Sequence, residues 1–264
     1  PNSHVYLLET AGPDLDLFDS KLRELRLNAP EMQIVEPDFV VFALLTPSDP
    51  SFSSLWGLHN SGQTGGTADA DIDAPEAWEV STGNATVVVG MIDTGIDYRH
   101  PDLAANIWIN AGETAGNRID DDGNGYVDDT RGWDFVSNDN DPMDDHYHGT
   151  HCAGTIGAQG GNALGVAGVC HTVRLMALKF LSSGGGGTTS DALEAVLYAT
   201  ANQATLTSNS WGGGGYSQTM KNAIDAAGTA GLLFVTAAGN NALDNDRKPS
   251  YPASYNSQNI ITVT

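Results

Sequence analysis

Thr86-Val87-Val88-Val89-Gly90-Met91-Ile92 runs without a charge into Asp93-Thr94-Gly95-Ile96-Asp97. A continuous apolar run rich in β-branched residues fits a strand buried on both faces, and strands of that kind belong to parallel sheets. Downstream, patterning gives a strand over 173–180, a helix over 189–203, a short strand over 206–209, a helix over 217–230 and a strand over 232–237. Ile260-Ile261-Thr262-Val263-Thr264 reads as strand again. This alternation predicts an α/β fold, a doubly wound, mostly parallel sheet with helices on both faces. Ligands of such sheets bind beyond the carboxyl ends of the strands. Three strands end there in polar or glycine-rich turns, at Asp93, at Ser210 and at Asn240.

Working outward, Asp73 is expected to cap a short helix through Trp78, with Pro75 in its first turn. Residues 1–45 read as a small β-α-β unit: a strand over 4–9, a helix over 15–27 and a strand over 32–45. Such a unit is too small to be a stable domain alone. Pro47, Pro50 and the serines between 48 and 54 mark a boundary, so the expected division is 1–45 and 46–264. The chain lacks an initial Met and stops within a strand, so a truncated polypeptide is expected.

Net charge is −22, which disfavours nucleic acid or an anionic membrane surface as partner. No apolar stretch reaches the length of a membrane span. Two cysteines, Cys152 and Cys170, permit at most one disulfide and leave the compartment undecided. Eleven of the 33 carboxylates crowd between Glu113 and Asp145. Within that block Asp120, Asp122, Asn124 and Asp128 take positions 1, 3, 5 and 9 of an EF-hand-like loop, with Gly125 at 6. Arg131 stands at position 12 where a bidentate Glu belongs, so a complete EF-hand is excluded. Oxygen donors in this pattern suit calcium, and a solvated acidic turn is the alternative.

Asp145-His146-Tyr147-His148-Gly149-Thr150-His151-Cys152-Ala153-Gly154-Thr155 follows the acidic block. A helix starting near His148 would place His148 in its first turn, and the small residues would let it approach other backbone closely. Asp93, at the end of an apolar strand, is partly desolvated and needs a partner. Paired with a histidine it would fix the tautomer and stabilise the imidazolium, leaving His148 to act as general base and then general acid. Asn240 offers a side-chain donor for a developing oxyanion. Ser210-Trp211-Gly212 offers a backbone edge to an extended peptide. Taken singly, each also reads as a turn or packing residue.

Together, Asp93-Thr94-Gly95-Ile96-Asp97, His148-Gly149-Thr150-His151-Cys152-Ala153-Gly154-Thr155, Ser210-Trp211-Gly212 and Ala238-Gly239-Asn240 resemble the subtilisin-like serine proteases, or subtilases. Asp preceding His is that family's order. The resemblance covers roughly residues 46–264 and implies a secreted serine endopeptidase acting on extended peptides or proteins, working as a monomer. It implies Asp93 and His148 as two triad members and Asn240 as oxyanion donor. By the same resemblance Gly185, Gly186, Gly187, Ser210, Trp211 and Gly212 flank the substrate, and Ala237, Ala238 and Gly239 line the pocket before the scissile bond. Residues 1–45 resemble part of the family's inhibitory propeptide, an internal partner. Asp49 and Asp102 match a tight calcium site of the family, with carbonyls from loop 159–165. Asp134, Asp139 and Asp141 resemble another calcium site of thermostable members. One departure stands out. The family's Gly-Thr-Ser-Met-Ala nucleophile motif does not occur after Asn240, so this polypeptide is expected not to hydrolyse peptides by itself. A non-catalytic peptide-binding relative and a structural calcium-binding module are the two other readings.

Overall fold

The computed structural model describes residues 15–28 and 46–264. The chain divides into two units, residues 1–43 and 44–264. In the first, helix α1 spans Leu15–Asn28, as the spacing predicts, and the expected strands over 4–9 and 32–45 lie outside the described residues. Its Lys21–Glu24 pair closes at 2.7 Å with both side chains about half exposed, a geometry worth little.

The second unit is built on six strands: β1 (Gly83–Asp93), β2 (Gly132–Asp134), β3 (Thr172–Lys179), β4 (Leu206–Asn209), β5 (Leu233–Ala237) and β6 (Ile260–Val263). They pair in the order β2-β3-β1-β4-β5-β6, and every pairing is parallel. Helix α2 (Ala74–Val80) precedes β1, and α3 (His148–Gly157), α4 (Thr189–Ala201) and α5 (Gln218–Thr229) connect β2 to β3, β3 to β4 and β4 to β5.

Side chains alternate across a strand, and the two cores show it. Ile92, Met176 and Leu178 point to one face, with Tyr198, Val196, Ile224 and Phe234. Val89, Met91, Leu175 and Ala177 point to the other, with Ala153, Ile96 and Leu103. α3 therefore covers one face, and α4 and α5 cover the opposite one. β1 has β3 and β4 on its two sides. The connection through α3 reaches β3, and the connection through α4 crosses back to β4 on the other face. The crevice beyond the end of β1 is thus a topological switch point.

Two expectations need correction. Asp73 occupies the position before α2, but its backbone is left-handed (φ 52°) and its side chain makes no capping bond. Its N–H is instead taken by Asp71 Oδ1 at 2.7 Å, because the short 71–73 turn folds back on itself. The acidic block also holds a strand, β2, paired with β3, where only a loop was expected. Trp133 carries β2 into the core although acids flank it.

Candidate active site

Asp93 is the last residue of β1 and is 1% exposed. His148 is the first residue of α3. The two meet across the switch point, His148 Nδ1 lying 2.7 Å from Asp93 Oδ1. Thr94 N–H donates to the same oxygen at 2.7 Å. A carboxylate withdrawn from water holds the far imidazole nitrogen, and the His148 side chain keeps 39% of its surface open. This leaves the ring able to accept and return a proton on its open side.

Residues that the sequence reading passed over hold this pair in place. Tyr147 precedes α3 in a left-handed conformation and makes no side-chain cap. Asp144 performs that role. Its Oδ1 accepts from His146 N and Tyr147 N, and its Oδ2 from Thr150 N. The Thr94 and Thr150 hydroxyls also donate to it. Burial pushes the Asp144 carboxyl up, but these hydrogen bonds outweigh it and leave its pKa lowered. Thr94 Oγ1 in turn accepts from Gly149 N at 2.9 Å. A Cβ on Gly149 would stand 2.1 Å from Gly95 O, and one on Gly157 2.6 Å from Val173 Cγ1. The small residues of α3 thus serve close approach at both its ends. Lys179, opposite Asp93 in the ladder, is buried with its ammonium on Thr94 O, Leu181 O and Asp145.

A cleft of about 440 Å³ opens beside His148. Its walls are Gly185, Gly186 and Gly187 on one side and Ser210, Trp211 and Gly212 on the other, with His146 and Thr94 at the dyad end. Leu181 and Gly187 close the first wall as an antiparallel bridge, and Phe180 packs edge-on against Trp211 at 4.9 Å. The structure therefore gathers His148 and six of the nine residues expected around a substrate. Ala237 ends β5, with Ala238, Gly239 and Asn240 directly after it, and none of the four lines this cleft. A larger hollow, about 700 Å³, lies at the amino end of β5 beside Lys221, Asp225 and Asn259, away from the dyad.

Cys152 lies one turn along α3, with Sγ 4.0 Å from His148 Nδ1. Burial, and then the Asp93 charge, pushes its thiol pKa up. Neither Cys152 nor Cys170 is in a disulfide.

The cation candidates fare unequally. Asp49 and Asp102, both buried, converge on loop 159–165. Asp49 Oδ2 accepts from Gly161 N at 2.6 Å, and Asp102 from Asn162 Nδ2 at 2.7 Å and Val166 N at 2.9 Å. Asp49 Oδ1 is buried without any hydrogen-bond partner. A lone carboxylate oxygen in that state is costly, so these residues fit a hard cation. In the acidic block, Asp120 and Asp122 gather with Glu113, which spacing did not single out. Asp128 is not part of that group. Its two oxygens are taken by Asn117 N and Arg118 N. Asn124 Oδ1 accepts from Tyr126 N at 2.8 Å. Asp134, Asp139 and Asp141 do not form a ligand group among the described residues. Asp134 Oδ1 accepts from Val136 N and Ser137 N, Asp139 Oδ1 from Asp141 N, and Asp141 Oδ1 from Tyr98.

A sequence profile of the subtilase family matches residues 84–264. The chain is 33% identical over 266 residues to a thermophilic serine proteinase of Bacillus sp. (strain AK1), covering 96% of this chain and 57% of that protein. It is 32% identical over 219 residues to thermitase of Thermoactinomyces vulgaris, covering 83% and 66%. It is 35% identical over 267 residues to an extracellular protease of Xanthomonas campestris pv. campestris, covering 93% and 43%. The chain thus spans less than two thirds of the length of each of these relatives.

Proposed function

Because the chain belongs to the subtilase family, we propose that it carries the base, the orienter and the oxyanion donor of a serine endopeptidase acting on extended peptide segments. The observation that carries this is the 2.7 Å bond between His148 Nδ1 and a carboxylate, Asp93, that is 1% exposed. The nucleophile is a serine that these 264 residues do not supply in the family's motif.

In the reaction, the serine Oγ attacks the peptide carbonyl as His148 Nε2 takes its proton. Asp93 stays ionised and stabilises the imidazolium. Asn240 Nδ2 and a backbone N–H meet the oxyanion; Asn240 follows the end of β5, the strand that stands two spacings from β1, about 10 Å across the sheet. His148 then gives the proton to the leaving amine, and water repeats the sequence on the acyl-enzyme. The substrate lies extended between 185–187 and 210–212, bonded through its main chain, with Ala237, Ala238 and Gly239 beside the residue before the scissile bond. Calcium held by Asp49, Asp102 and loop 159–165 would fix the surface around these elements, and Glu113, Asp120 and Asp122 form a second, weaker candidate. Secretion and an inhibitory role for residues 1–45 complete the reading. That the Xanthomonas relative is an extracellular protease supports the first. Among the described residues no helix is long and apolar enough to cross a membrane.

The 264-residue polypeptide is expected not to turn over a chromogenic peptide. A longer form of the protein that includes the serine is expected to do so, and His148→Ala should lower its kcat by more than about 10⁴-fold. Turnover by the 264-residue polypeptide that disappears in His148→Ala would place the nucleophile within these residues and overturn the proposal as stated. A longer form that binds peptides but never cleaves them would favour the non-catalytic alternative.

A further inference from the structure

We propose that Lys179 is a positioning residue of this site: one buried ammonium ties the backbone beside Asp93, the approach to His148 and the first wall of the cleft into a single unit. The proposal rests on the reading of Asp93 and His148 as the reacting pair.

β3 is apolar and fully buried over Leu175, Met176, Ala177 and Leu178, and Lys179 continues it at 3% exposure. A charge so placed persists only when its donors are satisfied. An ammonium has three protons, and three acceptors surround this one: Thr94 O at 2.8 Å, Leu181 O at 2.8 Å and Asp145 Oδ1 at 2.6 Å. Each acceptor belongs to a different functional segment. Thr94 directly follows Asp93. Leu181 opens the turn that closes on Gly187 and walls the cleft. Asp145 stands three residues before His148. The carbonyls of Thr94 and Leu181 lie past the ends of β1 and β3, where the sheet ladder no longer provides N–H donors. Backbone bonds run alongside, since Phe180 N and Leu181 N both donate to Asp93 O, at 3.0 and 3.2 Å. Asp145 is about half exposed, so its removal leaves the two buried carbonyls still held.

The test uses the 264-residue chain and needs no turnover. The proton shared by His148 Nδ1 and Asp93 gives a proton-NMR signal downfield of the amides, identified by its loss in His148→Gln. In Lys179→Met that proton is expected to exchange with water about tenfold faster, or to broaden away, while the thermal transition and the sheet amides stay native. Lys179→Arg keeps the charge but not the three-pronged donor geometry, and is expected to fall between. Asp145→Asn should leave the signal near wild type. A folded Lys179→Met with wild-type exchange overturns the proposal. Should Lys179→Met fail to fold, Lys179→Arg decides, and wild-type exchange there overturns it equally. A wild-type chain without any His148-dependent signal instead removes the Asp93–His148 pairing itself, and the proposal with it.

Discussion

Gly149 shows how little room the site leaves at the scale of one residue. A methyl group there would lie 2.1 Å from Gly95 O and 3.2 Å from Asp93 Cβ, both on rigid parts of the fold. Gly149→Ala must therefore push α3 away from the end of β1. A cost of about 1–3 kcal/mol in urea unfolding is expected, together with weakening of the His148–Asp93 bond. A second site at this scale sits deep under the acidic block. Asp129, fully buried, accepts from Tyr198 Oη and from the side-chain amides of Asn110 and Asn124. Burial, and next the bond to Asp129, pushes the Tyr198 phenol far above its ordinary value, so it remains a donor at any working pH. Tyr198→Phe removes one donor from a buried carboxylate and should cost about 1.5–3 kcal/mol, read from the same unfolding curves.

At the scale of elements, α3 starts on a carboxylate four residues upstream of its first helical residue. Asp144 has a lowered pKa in the fold, so its contribution is complete above the unfolded carboxylate pKa and is lost as pH falls through the lower, folded value. Acid titration of wild type should therefore show a loss of stability beginning at about the unfolded carboxylate range, near pH 4. Asp144→Asn should be less stable at neutral pH and flatter in acid, and melting curves across that range check it. An equal acid slope in both proteins would remove Asp144 from this account. This element also shows what sequence could and could not reveal. Two histidines in a run of small residues located α3, because close packing leaves a compositional trace. Asp144 left none, being one carboxylate among eleven in its stretch. Lys179 drew no reading inside the strand expected over 173–180, since nothing local reports that Thr94 O and Leu181 O will lie within its reach. Loop spacing found Asp120 and Asp122, but Glu113 arrives from seven residues upstream and Asp128 turns to Asn117 and Arg118. β2 hid because Trp133 is the only large apolar residue in a three-residue strand.

For the whole molecule, five of the six parallel strands, with α3 on one face of the sheet and α4 and α5 on the other, follow from the alternation of buried runs and helical periods. That level was legible because it depends on periodicity, which sums over many residues. The surface is less self-sufficient. With a net charge of −22, and with Asp49 Oδ1 buried without a partner, a divalent cation would relieve both repulsion and desolvation. Chelation is expected to lower Tm by several degrees, about 2–4 °C per kcal/mol lost for a domain of this size. Asp49→Asn should reduce the response to chelator, and an unchanged Tm in wild type would refute cation stabilisation. The two glycine walls of the cleft carry a different consequence. On the function proposed above, the glycines at 185–187 and 212–214 would offer a peptide main-chain contacts with no side chains of their own. A Cβ at Gly186 would meet nothing within 4 Å, and one at Gly214 only Thr189 Oγ1 at 3.9 Å, whereas Gly185 and Gly213 have positive φ. Positions 186 and 214 are therefore vacant lettering in the cleft: a charge written at either is expected to change which peptides the chain binds, without disturbing the frame around His148.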